Sequence, residues 1–436
     1  MQSKIKTDRQ IKAELLCMLF ASSLLTGMAV CHAGHLSGTV MLQIIALTCA
    51  TINMIPLSIA AVKWGLTNHI DKGIKYAWLH YMMVHRLRKQ LLDADVYTLR
   101  RFGTTKYAVI PWIIIDFSPD FQRGTIWIKN SIRHHDKLSK IDISSSLDGY
   151  VIEQIYLTDD ENHYCYDFYD SSINRKLKFN SLAEVKTYAD SMSRYELFVD
   201  KYTVLPLTHQ LLVGQTGSGK SYALHGYILQ MLLKPIKYHL YFADPKSSSI
   251  ALLGEEIAPD NTADDFEGMV NLLEKFVSKM RKRQREIKKY LREKIDGDYR
   301  DFGLSPHILI FDEYADFSLS LQVKDKKIRD HVNELVSSIV LKGRQSGFFL
   351  WVVMQQAGSN NIPTFIRDNL PQKIVLGNAE NQTYVTAFGA GTEIPQRKMA
   401  IGDGVYTYPS IANKPKLCTF SEFGFDVLQA LEAGVM

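Results

Sequence analysis

The chain has little cysteine. Five residues (Cys17, Cys31, Cys49, Cys165 and Cys418) are scattered over 436 positions, with no CxxC pair. That excludes a zinc knuckle and a disulfide framework, and the odd count fits a reducing compartment for the main body. Charge of one sign is scarce too: 51 Lys+Arg against 46 Asp+Glu leaves a net +5. So mild an excess does not establish a nucleic-acid partner, although its distribution carries information. With 46% hydrophobic and 22% charged residues, the chain is neither mostly disordered nor collagen-like. At about 150 residues per domain, its length suggests roughly three units.

Two long apolar runs without charge open the chain, roughly Leu15–Cys31 and Val40–Val62. A span needs about 20 apolar residues, so the second is comfortable and the first slightly short. The linker His32–Thr39 has no Lys or Arg. The outer flanks carry Lys4, Lys6, Arg9 and Lys12 on one side and Lys63, Lys72 and Lys75 on the other. The positive-inside rule therefore predicts a two-helix transmembrane hairpin over residues 1–64 in the cell membrane, with both termini cytoplasmic. Pro56 lies within the second run, where neighbours can satisfy the carbonyl it frees. The alternative is a cleaved signal peptide followed by a buried helix.

Residues 65–106 read as a basic juxtamembrane helix and connector. From Lys63 to Lys106 there are nine Lys/Arg and three Asp. Ile74, Trp78, Tyr81 and Met82 recur at helical spacing, with Arg86, Arg88 and Lys89 beyond them. Contact with anionic headgroups and contact with DNA both fit this pattern. Residues 107–200 then become β-branched and aromatic, in VIPWIIIDF, GTIWIKN, YVIEQIYL and HYCYDFYD. A helix is expected over 182–193. This reads as a small α+β assembly domain without catalytic groups. His134 and His135 lack ligand partners at metal-binding spacing and are expected at the surface.

The chemistry lies in residues 201–436. The apolar segment HQLLV runs into Gly214-Gln215-Thr216-Gly217-Ser218-Gly219-Lys220-Ser221, and a helical pattern follows to Leu233. This is GxxxxGK[ST] in full, with the strand before it and the helix after it that the motif needs. The glycines let successive N–H groups surround phosphates, and the helix N-terminus adds its positive dipole end. Lys220 is expected at the β- and γ-phosphates of ATP, and Ser221 at Mg²⁺. HILIF ends in Asp312-Glu313. Asp312 suits a Mg²⁺ ligand, and Glu313 a base that polarises the attacking water. FFLWVVM ends in Gln355, placed to sense the γ-phosphate or orient water. Another strand ends in Asp244-Pro245-Lys246. Strands alternating with helices predict an α/β domain with a mostly parallel sheet and the nucleotide at its carboxyl edge.

The phrases GQTGSGKS, ADPKSSS, ILIFDEYAD, LKGRQSGFFLWVVMQQ, FIRDNLPQKIVLG and GDGVY, in this order across roughly residues 200–410, resemble the FtsK/SpoIIIE-type DNA-pumping ATPases. DEYADF, LKGRQSGFFL and IRDNLP are most similar to the coupling ATPases of Gram-positive conjugative and integrative elements. The resemblance implies a RecA-like P-loop NTPase motor that assembles as a homohexamer, hydrolyses ATP between subunits and moves DNA. It matches Lys220 and Ser221 to the phosphate-loop pair, Asp312 and Glu313 to the second acidic motif, and Gln355 to the sensor strand. Two departures stand out: Gln356-Ala357 where Arg-Pro is common, and Lys373 where Arg is common. Arg367 and Arg344 are thus the candidates for the trans-acting arginine, with Lys373 a weaker third and a structural ion pair the alternative for each. The resemblance also implies sequence-independent DNA handling, because the stretch after GDGVY is too short for a DNA-reading winged-helix module. Selectivity is then expected from a relaxase–DNA complex and other conjugation proteins.

Two basic segments are open to two readings. Lys279–Lys294 holds nine Lys/Arg and two Glu, and suits either DNA phosphates or a solvated face. Lys324–Arg329 suits either a DNA loop or an exposed turn. Two rival functions remain: an ATPase of the same type that drives protein export, and a nucleotide-dependent membrane scaffold. The single phosphate loop disfavours the first, and intact Lys220, Asp312 and Glu313 disfavour the second.

Overall fold

The computed structural model describes residues 7–37, 40–102, 105–292, 294–358, 362–392, 394–395 and 398–434. The chain divides into two compact units, residues 1–173 and 174–436.

The first unit begins with helices α1 (Asp8–Ser37), α2 (Val40–Thr67) and α3 (Ile74–Asp93). A hairpin follows, β1 (Thr98–Phe102) with β2 (Thr105–Val109). Then come β3 (Ile113–Phe117), β4 (Arg123–Lys129), the short α4 (His135–Leu138), β5 (Tyr150–Leu157) and β6 (His163–Asp170). The last four strands form an antiparallel sheet in the order β3-β4-β6-β5. Its inward residues Ile115, Ile126, Ile128 and Tyr166 share a core with Leu87 and Leu91 of α3.

Two expectations for this unit are corrected. Both apolar runs form helices, but among the described residues no helix is long and apolar enough to cross a membrane. The two-span hairpin, the cell-membrane location and the membrane as a partner are therefore not upheld. Lys4 and Lys6, used to orient the hairpin, lie outside the described residues, as do Gly38 and Thr39 of the linker. In α3, Ile74 and Trp78 are 77% and 59% exposed; the buried face is Tyr76, Ala77, Met83, Val84 and Leu87. A helix carrying apolar residues on two faces shows one period for each, and the sheet packs against only one of them. His134 is buried at 3% exposure, with neither ring nitrogen hydrogen-bonded among the described residues, whereas His135 is exposed and meets the Tyr164 hydroxyl.

The second unit starts with β7 (Lys178–Phe179), α5 (Leu182–Asp190), β8 (Glu196–Asp200) and β9 (Thr203–Pro206). The α/β core then runs through β10 (Gln210–Gly214), α6 (Lys220–Leu233), β11 (His239–Ala243), α7 (Ser249–Ile257), β12 (Thr262–Ala263) and α8 (Phe266–Tyr290). It continues with β13 (His307–Phe311), α9 (Tyr314–Gln322), α10 (Lys326–Ser346), β14 (Phe348–Met354), α11 (Thr364–Asp368) and β15 (Gln372–Leu376). After α12 (Asn381–Phe388) come β16 (Asp403–Tyr408) and β17 (Ala412–Thr419). The eight-stranded sheet has the order β12-β11-β13-β14-β10-β15-β16-β17, parallel from β12 through β15 and antiparallel at β16 and β17. Every residue of β10, β13 and β14 is buried, as expected for parallel strands covered on both faces.

The division at 173/174 falls well before the boundary expected at 200/201. Residues 174–200 look like their β-rich predecessors in composition but pack elsewhere. Val185 and Ala189 of α5 and Leu197 and Phe198 of β8 join Leu224, Tyr227 and Ile228 of α6 in one core. Gln230 of α6 fastens β8 through its side-chain oxygen and nitrogen, which meet the Phe198 N–H (2.9 Å) and C=O (3.0 Å).

Candidate nucleotide-binding site

Strand β10 lies between β14 and β15, so its carboxyl end opens at the middle of the sheet edge. The chain there turns through Gly214–Gly219 into α6. Gly217 and Gly219 take φ of 81° and 95°, the left-handed region that a side chain strains to adopt. Neighbouring backbone crowds the loop. A Cβ on Gly219 would lie 3.0 Å from the Gly402 nitrogen, and one on Gly214 would lie 2.4 Å from Ser218 Oγ. Gly402 N–H donates to the Ser218 carbonyl at 2.9 Å, which ties the loop to the turn before β16. Ser218 Oγ is buried without a partner among the described residues.

β13 ends beside this loop and delivers Asp312 and Glu313, 5% and 4% exposed. Lys220 Nζ lies 3.2 Å from Asp312 Oδ1 and 3.7 Å from Glu313 Oε2. Burial pushes the Asp312 carboxyl above its ordinary value; Asp244 adds to this and Lys220 opposes it. The backbone N–H of Glu313 donates to Asp312 Oδ1 at 3.0 Å. Glu313 itself sits at φ 45°, ψ 52°, just before the first residue of α9. A non-glycine residue held there is strained, and such strain gathers at functional positions. β14 ends alongside, and the Gln355 N–H reaches Glu313 Oε1 at 3.3 Å.

Among the predicted residues, Lys220, Asp312, Glu313 and Gln355 thus converge at one edge, with Gly214–Gly219 beside them. Ser221 is exposed in the first turn of α6, and Gln215 and Thr216 lie at the rim of the loop. The two arginines are elsewhere. Arg344 is exposed in the last turn of α10 and lines a cleft with His209, Gln284 and Asp368, where the strands begin. Burial, with the Arg344 charge adding, lowers His209 to about 3. Arg367 in α11 donates its Nε–H to Asp368 Oδ1 at 3.0 Å, just ahead of β15. Five residues of strand at about 3.3 Å each separate the two edges. Neither arginine therefore reaches the chain's own phosphate loop. Lys373 pairs in register with Leu211 inside the sheet, and burial lowers its ammonium.

Sequence reasoning noted Lys246 without giving it a role. Its Nζ lies 3.1 Å from Glu313 Oε2 and 3.5 Å from Asp316 Oδ2. The signal was present in Asp244-Pro245-Lys246, but β13 had to be placed beside β11 for it to be read. Gly402 was missed as well, because its contact with the loop depends on β16 pairing beside β15.

The basic segments are partly absorbed by the fold. In α8, Arg281 pairs with Glu334, Arg283 donates to the Ser305 carbonyl, and Lys279 covers the Tyr241 ring. Lys282, Arg285, Lys288 and Lys289 stay exposed and form no ion pair among the described residues. Between α9 and α10, Lys324 covers the Phe266 ring and Arg329 donates to the Gln322 carbonyl.

A nucleotide fits these residues. The loop offers backbone N–H groups, an unpartnered hydroxyl and Lys220, with carboxylates two strands away at the end of β13 to hold a divalent cation. The chain is similar to Ftsk domain-containing protein YdcQ of Bacillus subtilis, 28% identical over 229 residues, covering 52% of this chain and 46% of that protein. It is also similar to DNA translocase FtsK of Corynebacterium glutamicum, 24% identical over 235 residues, covering 49% of this chain and 24% of that one. The chain thus spans less than half the length of either relative. Among solved structures, the pCW3 conjugation coupling protein TcpA with ATPγS aligns at a TM-score of 0.48 and 16% identity, over 80% of this chain and 99% of that one. The FtsK/SpoIIIE family model matches residues 190–359, the stretch that contains this phosphate loop.

Proposed function

We propose that the chain is an ATP-driven DNA translocase that serves as the coupling protein of conjugative DNA transfer. The observation that carries the reading is the convergence of Lys220, Asp312, Glu313 and Gln355 at the carboxyl ends of β10, β13 and β14. Lys220 and the loop N–H groups bind the phosphates, and Ser221 and Asp312 hold Mg²⁺. When bound, the metal ion neutralises charge that develops on the phosphates during transfer. Glu313 accepts a hydrogen bond from the attacking water and orients it, and Gln355 adjoins it from the next strand. Arg344 and Arg367 face away from their own loop, which suits them to complete a neighbouring copy's site in a homohexamer. The relatives described as DNA translocases support DNA as the track. Exposed Lys282, Arg285, Lys288 and Lys289 offer contacts to phosphates without base readout. Selectivity then falls to a partner such as a relaxase–DNA complex.

Translocation is testable by displacement of a third strand from a duplex. With the full chain and ATP, displacement is expected on unrelated duplex sequences and is expected to stop with ATPγS. ATP turnover without displacement on any duplex would move the reading towards protein export.

A further inference from the structure

Glu313 Oε1 accepts a hydrogen bond, while Oε2 is buried, accepts none among the described residues, and faces two ammonium groups. Gln355 N–H donates to Oε1 at 3.3 Å, and Lys246 Nζ lies 3.1 Å from Oε2. Lys220 also approaches Oε2, at 3.7 Å. A carboxylate this deeply buried has lost most of its hydration and needs a compensating cation. Lys220 belongs to the phosphate loop, so a bound nucleotide draws its ammonium towards the phosphates. Lys246 then remains as the cation facing Glu313.

The placement of Lys246 is built rather than incidental. Asp244, at the end of β11, is 1% exposed. Its Oδ1 accepts the Lys246 N–H at 3.0 Å. Its Oδ2 accepts the Ser248 N–H (2.8 Å), the Ser248 hydroxyl (2.6 Å) and the Ala251 N–H (3.3 Å) at the start of α7. Ser247 between them takes φ 48°, a turn that sends the Lys246 side chain back over β13. There Asp316 of α9 supplies a second carboxylate at 3.5 Å. Lys246 remains 41% exposed on its side chain, so its ammonium reaches Glu313 from the solvent side. Partial burial alone would lower its ammonium, but Glu313 and Asp316 raise it above the ordinary value.

We propose that Lys246 is a positioning residue: it fixes the Glu313 carboxylate for the attacking water, the site's second cation beside Lys220. This rests on the reading of Glu313 as the water-orienting base. It adds a residue on a strand not adjacent to the phosphate-loop strand, linked to the base by an ion pair that spans 67 positions of sequence (313 − 246 = 67).

The first arm of the test does not need activity. The full chain without nucleotide is acetylated briefly with an N-hydroxysuccinimide acetate, and lysine modification is read by mass spectrometry. Glu313→Gln is expected to raise modification of Lys246 at least threefold, with Lys282 unchanged as the internal reference. Equal modification of Lys246 in both proteins would overturn the ion pair and the proposal. The second arm is steady-state hydrolysis. Lys246→Met is expected to lower kcat tenfold or more with KM changed less than threefold, and Lys246→Arg to recover at least half of the loss. A raised KM with kcat intact would make Lys246 a phosphate contact and overturn the positioning role. If instead Glu313→Gln hydrolysed ATP like the wild type, the reading of the base would fail while the labelling result stood by itself.

Discussion

Glu313→Gln is expected to bind ATP and to lose hydrolysis by about 10²–10⁴-fold, the usual contribution of a positioned general base. The substitution keeps the shape and the oxygen that accepts the Gln355 N–H, so β13, β14 and the phosphate loop keep their arrangement. It removes the charge that accepts a proton from water. It also removes a negative charge beside Lys220, so affinity for a triphosphate is expected to hold or rise. Fluorescent-nucleotide binding and single-turnover hydrolysis, measured on the same preparation, check both halves. Unaltered turnover would remove Glu313 from the chemistry.

Lys220→Ala acts on the other side of the same cluster. Removing a charged, hydrogen-bonded partner from a buried site costs about 2–5 kcal/mol. Nucleotide affinity is therefore expected to fall by roughly 30-fold or more, with hydrolysis lost at any accessible ATP concentration. The substitution also strips Asp312 of its cation, and burial already raises that carboxyl. The sign follows from linkage. A carboxyl whose value is raised by folding favours the folded state while protonated and opposes it once ionised, so that stabilisation is lost as pH rises through the raised value. The stability deficit of Lys220→Ala relative to wild type is thus expected to be larger above the raised Asp312 value than below the ordinary carboxylate range. Thermal melts followed from acid to alkaline pH check this. A deficit independent of pH would mean that Asp312 does not depend on Lys220.

Much of the second unit is readable from pattern because its central strands are buried on both faces. HILIF and FFLWVVM are continuous apolar runs, and the observed β13 and β14 occupy those residues. The phosphate loop is readable because its glycines meet a geometric demand that few other residues satisfy. What escapes the sequence depends on pairing at a distance. Lys246 meets Glu313 only because β11 and β13 are neighbours. Gly402 meets Ser218 only because β16 folds back beside β15. Arg344 and Arg367 look equivalent in sequence to any interface arginine, and strand direction alone places them at the far edge. The compact units divide at 173/174, which composition does not show because aromatic, β-branched strands look alike on either side of residue 173. The exposed Ile74 and Trp78 show the same ambiguity in a helix, where the period marks an apolar stripe but not which stripe is covered.

A motor that moves DNA couples hydrolysis at this site to DNA binding. ATP turnover of the full chain, measured alone, with duplex DNA and with single-stranded DNA, tests it most directly, with Lys220→Ala as the blank. At least one form of DNA is expected to raise kcat tenfold or more, for unrelated sequences alike, and added salt to erode the stimulation as phosphate contacts weaken. Robust hydrolysis that no DNA alters would rule out DNA coupling and leave a motor for some other substrate.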